Sequence, residues 1–236
     1  MPPRLSARFV CSAMIAAAIP LASPLQAAQA APCAEIEVVF ARGTAEPGGS
    51  VGFTGTSFAE SLRLNSGGRS VGVYGVNYPA SAEFADKLAF AHTVLQGIGD
   101  ARQRIEQIAA GCPDTEIVLG GYSQGAAVAE FATMSEVPEG VPAEYEKYLP
   151  PPMAPEVAER VTAVALFGKP SQRFLRDAGA PVPVLEPSYR TKTIDLCITG
   201  DNICDGSPLA QPNGLHVLYS VNGMTLTAAD FALQRG

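Results

Sequence analysis

Short apolar segments alternate along this chain with stretches of helical periodicity. Runs rich in β-branched and aromatic residues predict strands at 35–41, 70–78, 116–119, 161–168 and 193–197. Helices are predicted at 57–64, 81–110, from 126 onward and 225–233. Strands that alternate with helices indicate an α/β fold, with a doubly wound, mostly parallel sheet of about five strands flanked by helices.

The longest predicted helix covers residues 81–110. Its apolar stripe, at the spacing i, i+4, i+7 and i+11, consists of Phe84, Leu88, Ala91 and Leu95. The glycines in 97–99 predict a break or kink in this helix.

Three smaller features complete the pattern. In the helix at 57–64, Phe58 and Leu62, with Ser61 beside them, are predicted to face inward. Thr227 is the predicted N-cap of the last helix. The segment 136–155 carries six prolines and cannot be regular helix throughout, so it predicts a surface excursion within one domain.

The first thirty residues differ from the rest. Arg4 and Arg8 precede an apolar run at 14–21, and Ala28 and Ala30 supply the small residues of a cleavage site. This pattern predicts a signal peptide at 1–30 that is cleaved after Ala30, which leaves 31–236 as a single secreted or envelope-associated domain without a transmembrane segment. The alternative is an uncleaved N-terminal anchor.

The charge of the chain excludes some partners. The net charge is −7, and loss of the two arginines of the leader would make it −9. An acidic protein without basic clusters is not expected to bind nucleic acid or to dock electrostatically on anionic lipid. We expect a monomer.

Four cysteines remain once Cys11 leaves with the leader, namely Cys33, Cys112, Cys197 and Cys204. An even set in an exported protein predicts two disulfides, for which three pairings exist. Nearness in sequence favours pairing the last two, which leaves the first two for each other. A zinc site is the competing interpretation, but the spacing is not C-x-x-C and no histidine is near. We expect no metal or other cofactor.

The segment Gly120-Gly121-Tyr122-Ser123-Gln124-Gly125 is the candidate for chemistry. It follows a predicted strand and opens a predicted helix, which is the context that gives a G-x-S-x-G motif meaning. Ser123 would stand on a sharp turn at a helix N-terminus, where backbone N–H groups favour an anion. It is the predicted nucleophile; the alternative is a glycine-rich turn with a serine N-cap.

A serine nucleophile needs a base, and the chain has two histidines, His92 and His216. The α/β-hydrolase order of serine, then carboxylate, then histidine is satisfied by His216 alone. His92 lies upstream of Ser123, inside the long helix, and is interpreted as a partly exposed helical residue.

The base in turn needs an orienting carboxylate, for which Asp195, Asp201 and Asp205 are candidates. Asp195 lies inside a strand, and Asp205 abuts a cysteine. Asp201 follows a glycine just past the carboxyl end of a strand, where sites in open α/β sheets lie. We choose Asp201; the alternative is a turn aspartate with a local hydrogen bond.

An oxyanion hole needs N–H donors set in advance. One is the backbone N–H of Gln124, directly after the nucleophile. The other is expected from the loop after the first strand, where Thr44 offers its N–H and its hydroxyl; the alternative is a simple glycine turn with a threonine cap.

Together these motifs resemble the cutinase family, and in particular the cutinase-like esterases secreted by mycobacteria. The resemblance covers essentially the whole mature chain. It is carried by the opening Cys33, the run Phe40-Ala41-Arg42-Gly43-Thr44-Ala45-Glu46, the serine motif, the Cys197–Cys204 loop with its Gly-Asp pair, and His216.

The resemblance implies a small α/β-hydrolase with a five-stranded parallel sheet and no large lid. It implies the triad Ser123, Asp201 and His216, the oxyanion residues Thr44 and Gln124, and the two disulfides. Family substrates are carboxylic esters of short or medium chain and sometimes lipids. Family members often carry serine where this chain has Thr44, whose rotamer is stiffer. An acetyl-polysaccharide esterase and a non-catalytic envelope antigen or binding protein are the alternatives.

Overall fold

A computed structural model describes residues 33–236, so the predicted signal peptide lies outside the described residues. One sheet of five strands, ordered β2-β1-β3-β4-β5, runs through the centre, and every pairing in it is parallel. The expectation of a five-stranded, mostly parallel sheet is confirmed. The strands are β1 Ile36–Ala41, β2 Val71–Gly75, β3 Glu116–Tyr122, β4 Val161–Phe167 and β5 Thr193–Leu196.

Helices cover both faces of the sheet. They are α1 Gly52–Asn65, α2 Lys87–Gly111, α3 Gln124–Thr133, α4 Ala143–Glu146, α5 Pro155–Glu159, α6 Gln172–Ala178 and α7 Met224–Leu233, with short 3₁₀ turns at Gly49–Val51 and Pro187–Lys192. No helix within residues 33–236 is long and apolar enough to cross a bilayer.

The alternation of side chains along β1 divides the core into two layers. Val39 and Ala41 pack in the layer beneath α2 and α3. Val38 and Phe40 point the other way and join Phe58 of α1 in the layer that also holds α7. Successive strand residues face opposite sides of a sheet, so a nearly continuous apolar strand such as β1 is buried on both faces.

The two disulfides join the pairs that the sequence favoured. Cys33 bonds to Cys112, which ties the start of the described chain to the end of α2. Cys197 bonds to Cys204 and closes the loop that follows β5. No group of metal-ligating side chains occurs among residues 33–236, and all four of these sulfurs are in disulfides.

Two predictions for α2 were wrong. The helix begins at Lys87 and not at 81, because the Asp86 carboxylate accepts a hydrogen bond from the Ala89 N–H and caps it there. Phe84 is therefore outside the helix, and both it and Leu88 are exposed. Ala91 is exposed as well, so Leu95 is the one residue of the predicted stripe that packs against the core.

The predicted break near 97–99 is also wrong, because α2 continues through it. Gly97 contributes to packing instead. A Cβ at this position would lie 3.1 Å from side-chain atoms of Tyr78 and of Val128, so the glycine lets α2 approach α3 closely.

The other helices differ from prediction mainly at their ends. α1 is longer than expected, but Phe58, Ser61 and Leu62 are buried as predicted. The N-cap of α7 is Gly223 and not Thr227, whose hydroxyl instead lies 3.5 Å from the Gly223 carbonyl, one turn back within the helix. A threonine inside the first turn can make this backward bond without capping.

The proline-rich segment is held to the domain by one buried cation that the sequence pattern did not reveal. Arg102 of α2 donates to carbonyl oxygens at the end of α3 and in the segment, at 2.7–3.0 Å. These acceptors are Phe131, Ala132, Met134, Pro150 and Pro151. A guanidinium has five N–H donors in a planar arrangement, and it can therefore bond to several carbonyl oxygens that have no donor inside a helix.

Candidate active site

Ser123 stands on a strained turn between β3 and α3, with a φ of 54°. The turn is tight enough to require its glycines. A side chain at Gly121 would come within 2.1 Å of the Gly125 carbonyl oxygen, and one at Gly125 within 1.9 Å of the Ala41 carbonyl oxygen. The Ser123 N–H donates to the Phe167 carbonyl at 2.8 Å, which fixes the turn to the end of β4.

The Ser123 hydroxyl does not cap α3. Its Oγ lies 2.8 Å from Nε2 of His216, whose Nδ1 lies 2.8 Å from Oδ2 of Asp201. A carboxylate only accepts, so Nδ1 carries the hydrogen and Nε2 is left to accept the serine proton. His216 and Asp201 are both buried, and the three predicted side chains are brought together in one hydrogen-bonded chain.

Asp201 has no exposed surface and is surrounded by donors. Its Oδ1 accepts from the Ile203 N–H at 3.1 Å, and its Oδ2 accepts from the Tyr219 hydroxyl at 2.6 Å as well as from His216. These bonds satisfy a buried charge that would otherwise be costly. The Cys197–Cys204 disulfide closes the loop that carries it.

The loop after β1 is held around Thr44 by its neighbours. The Gly43 N–H donates to Glu46 Oε2 at 2.9 Å, and the Ala45 N–H donates to the Ala80 carbonyl at 2.9 Å. A side chain at Gly43 would come within 2.6 Å of the Tyr122 ring, so this loop lies directly against the serine turn.

Gln124 is the first residue of α3, where a backbone N–H has no acceptor inside the helix. This N–H belongs to the residue directly after Ser123, and it is free to donate to an anion bound there. The side chain of Gln124 is buried, and its Nε2 donates to the Ser81 carbonyl at 3.3 Å.

Residues 32–235 match the family model described as Cutinase. This chain belongs to the cutinase family. Among its relatives in Mycobacterium tuberculosis, the probable carboxylesterase Culp7 is 52% identical over 72% of this chain and 87% of its own length. Carboxylesterase Culp1 is 42% identical over 89% of this chain and 85% of its own. Phospholipase Culp4 is 42% identical over 96% of this chain and 90% of its own.

Solved structures agree with this membership. A Trichoderma reesei cutinase in complex with a phosphonate inhibitor has a TM-score of 0.61 and 32% identity, over 86% of this chain and 77% of that one. The catalytic core domain of acetyl xylan esterase from the same organism has a TM-score of 0.66 at 22% identity, over 87% and 100% of the two chains. The second similarity shows a shared α/β-hydrolase fold and no more.

None of the rejected candidates forms a side-chain bond to Ser123 or His216 among residues 33–236. His92 is exposed on α2, with its ring 6.0 Å from that of Tyr148. Asp195 is half-exposed and pairs with Lys169 at 3.0 Å. Asp205 accepts from the Ser207 N–H, and its bonds to Ser207 lower the pKa of this exposed carboxyl.

Two tyrosines that the sequence patterns did not reveal complete the site. Tyr122 donates to the backbone carbonyl of His216 at 2.6 Å, and Tyr219 donates to Asp201. Burial raises the pKa of both phenols well above the usual value, so both remain donors across the working pH range of a protein. The available signals were weak: Tyr122 precedes the serine, and Tyr219 follows His216 by three residues.

Gly168, directly after β4, lies close to the His216 imidazole and the Tyr219 ring. A side chain at Gly168 would come within 3.1 Å of the His216 ring carbon Cε1 and within 2.8 Å of the Tyr219 ring. The next residue, Lys169, bonds to Glu130 of α3 and to Asp195 of β5, each at 3.0 Å. These two ion pairs join α3, the helix that follows Ser123, to the end of β4 and to β5.

Proposed function

We propose that this protein hydrolyses carboxylic esters through an acyl-enzyme formed on Ser123. The observation that carries the proposal is the chain of two 2.8 Å hydrogen bonds from Ser123 through His216 to Asp201. A serine hydroxyl reacts at neutral pH only when a base takes its proton, and this geometry supplies that base in the required tautomer.

In the acylation step, Ser123 Oγ attacks the ester carbonyl carbon while its proton passes to His216 Nε2. The imidazolium that forms is stabilised by the buried Asp201 carboxylate, which stays ionised. The tetrahedral intermediate then collapses. Its alkoxy group leaves as the alcohol and takes the proton back from Nε2.

The negative charge of the intermediate falls on the former carbonyl oxygen. We assign its stabilisation to the N–H of Gln124, with Thr44 as the second donor through its N–H or hydroxyl. Donors held in place before the reaction need no rearrangement as the charge develops, and loss of one such donor costs about 10²–10³ in kcat.

Deacylation repeats the sequence with water. His216 takes a proton from the water, which attacks the acyl carbon, and then returns the proton to Ser123 Oγ as the acid product leaves. The site uses the same base in both half-reactions, and no step of this mechanism calls for a metal or another cofactor.

We assign short- to medium-chain acyl esters as substrates, with lipids as further candidates. The names of the relatives, carboxylesterase and phospholipase, support this class. Three exposed apolar side chains also support it: Phe84, Leu209 and Val217 lie on loops after β2, before His216 and directly after His216. Such loops surround sites at the carboxyl end of an open sheet.

We propose further that residues 1–30 direct export, that cleavage follows Ala30, and that the mature protein acts as a monomer outside the cytoplasm. The two disulfides support an oxidising compartment, where such bonds persist.

The experiment that tests the function is replacement of the nucleophile. Ser123→Ala, shown to be folded by circular dichroism, is expected to hydrolyse p-nitrophenyl butyrate at least ~10⁴-fold more slowly than the native protein. Near-native turnover by this folded variant would refute the acyl-enzyme.

A further inference from the structure

The hydroxyl of Tyr219 has a determined hydrogen-bond direction. Its oxygen lies 3.0 Å from the Ile198 backbone nitrogen, which can only donate. Its own hydrogen is therefore directed to the other partner, Oδ2 of Asp201, at 2.6 Å. The ring is completely buried, so no water competes for either bond.

We propose that Tyr219 is a positioning residue that sets the basicity of the His216–Asp201 pair, by sharing with His216 the carboxylate oxygen that both contact. The inference rests on the proposed function, in which His216 must be neutral to accept the serine proton. It adds a fourth residue to the reaction, one that acts through Asp201 and touches no substrate.

The reason is competition for one oxygen. Oδ2 accepts from His216 Nδ1 at 2.8 Å and from the phenol at 2.6 Å. A donor that withdraws charge from Oδ2 weakens the attraction of the carboxylate for an imidazolium, and it also stabilises the ionised carboxylate itself. Both effects make the pair release its proton at lower pH, which keeps the base available.

Other polar and charged groups lie near the His216–Asp201 pair, but in the described part of the chain none of them replaces the hydrogen bond from Tyr219 to Asp201 Oδ2. Tyr122 and Ser123 contact His216 at its backbone carbonyl and at Nε2. Burial and, to a smaller extent, the charge of Glu46 raise the pKa of Tyr122. The Glu46 carboxylate itself accepts from Gly43 of its own loop and from Thr54 of α1. Lys169 follows Gly168, which lies close to the imidazole, but the Lys169 ammonium is bonded to the carboxylates of Glu130 and Asp195.

The disulfide beside Asp201 also leaves the assignment unchanged. Cys204 Sγ lies 3.3 Å from both Asp201 Oδ2 and the Tyr219 oxygen. A disulfide sulfur has no hydrogen to donate, so at Oδ2 the phenol remains the one donor besides His216 among the described side chains.

The test measures protonation separately from turnover. In the full-length mature protein with Tyr219→Phe, the imidazole titration of His216, followed by NMR, is expected to move to higher pH on the order of one unit. The acid limb of the pH profile of kcat/KM should move with it. The variant should therefore be about tenfold less active than the native protein at pH values below the limb and equally active at pH values above it. Tyr189→Phe is the matched control: it removes the hydroxyl of another buried tyrosine, in the core layer beneath α2 and α3, and should leave the limb in place.

A second variant covers the case in which Tyr219→Phe does not fold. Incorporation of 3,5-difluorotyrosine at position 219 keeps the shape of the ring but makes the phenol a stronger donor. It should move the titration and the limb to lower pH. An unmoved titration in the folded variants, or a uniform loss of activity with an unmoved limb, would overturn the inference.

The two proposals fail separately. If Ser123→Ala remained active while both Tyr219 changes moved the His216 titration, the proposed function would be lost and the coupling between the phenol and the imidazole would stand.

Discussion

Nε2 of His216 lies 2.8 Å from Oγ of Ser123, although 93 positions separate the two residues in sequence. Each is held by a backbone contact from a different part of the fold. The Ser123 N–H is bound to the end of β4, and the His216 carbonyl is bound to the Tyr122 hydroxyl. The alignment of His216 Nε2 with Ser123 Oγ is therefore held by contacts to the ends of β3 and β4.

This relationship predicts that the two histidines behave very differently. His216→Ala should lower kcat/KM by about 10⁴-fold or more, because within residues 33–236 no other base contacts Ser123. His92→Ala, at an exposed position on α2, should change it less than about twofold. Steady-state kinetics on folded proteins checks both, and a large loss in the His92 variant alone would overturn the assignment of the base.

The Lys169–Glu130 pair predicts a pH-dependent stability. Burial raises the pKa of Glu130, and the ammonium of Lys169 opposes that rise. In Lys169→Met no ammonium opposes the effect of burial on the pKa of Glu130. Glu130 therefore binds its proton more tightly in the folded state than in the unfolded state. Stability is then retained at low pH and lost as the pH rises through the folded-state pKa.

We therefore expect Lys169→Met to be destabilised by about 3 kcal/mol at pH 8 and by clearly less at pH 5. Urea unfolding at the two pH values measures this. The double variant Glu130→Gln/Lys169→Met is the control, since it removes the buried charge and should remove the extra pH dependence. An equal loss at both pH values would show that Glu130 is not the responsible group.

Leu209 predicts the dependence on acyl length. Each methylene buried against an apolar rim contributes ~0.8 kcal/mol, or roughly fourfold in kcat/KM. The native protein should prefer butyryl and hexanoyl to acetyl esters and then decline for longer chains. Leu209→Asp should flatten the rise and spare acetate hydrolysis, since the side chain is 46% exposed and carries little of the core.

The matched control is Leu64→Asp, which places the same charge at a leucine that is 79% exposed near the end of α1. It should keep the native profile over a series of p-nitrophenyl esters. If Leu209→Asp also keeps that profile, the acyl chain lies elsewhere, and the proline-rich segment 136–155 becomes the next surface to change.

Local signals in the sequence predicted most of the fold. A strand, a glycine turn and a helix are contiguous around Ser123, and β-branched runs identify all five strands. The start of α2 was missed because the apolar spacing continues back to Phe84, whereas the helix is started by the cap at Asp86. Periodicity alone does not show where a core ends.

The residues of the candidate site were predictable where motifs and their order along the chain identify them. They were not predictable where only the three-dimensional packing brings them together. The order of serine, carboxylate and histidine singled out His216. The position of Asp201 just past the carboxyl end of a strand favoured it over Asp195 and Asp205. The bond from Tyr219 to Asp201 depends on how the turn around 215–219 lies against the Cys197–Cys204 loop. No spacing rule connects those two segments.

Covalent labelling of the native protein with a fluorophosphonate, followed by peptide mass spectrometry, tests whether Ser123 is the nucleophile. A phosphonate on an activated serine resembles the tetrahedral intermediate and is not released. We expect one adduct, on Ser123, with loss of esterase activity in proportion to labelling and no adduct in His216→Ala. Unlabelled protein that hydrolyses esters at the native rate, or inactivation with the adduct on a different residue, would contradict it.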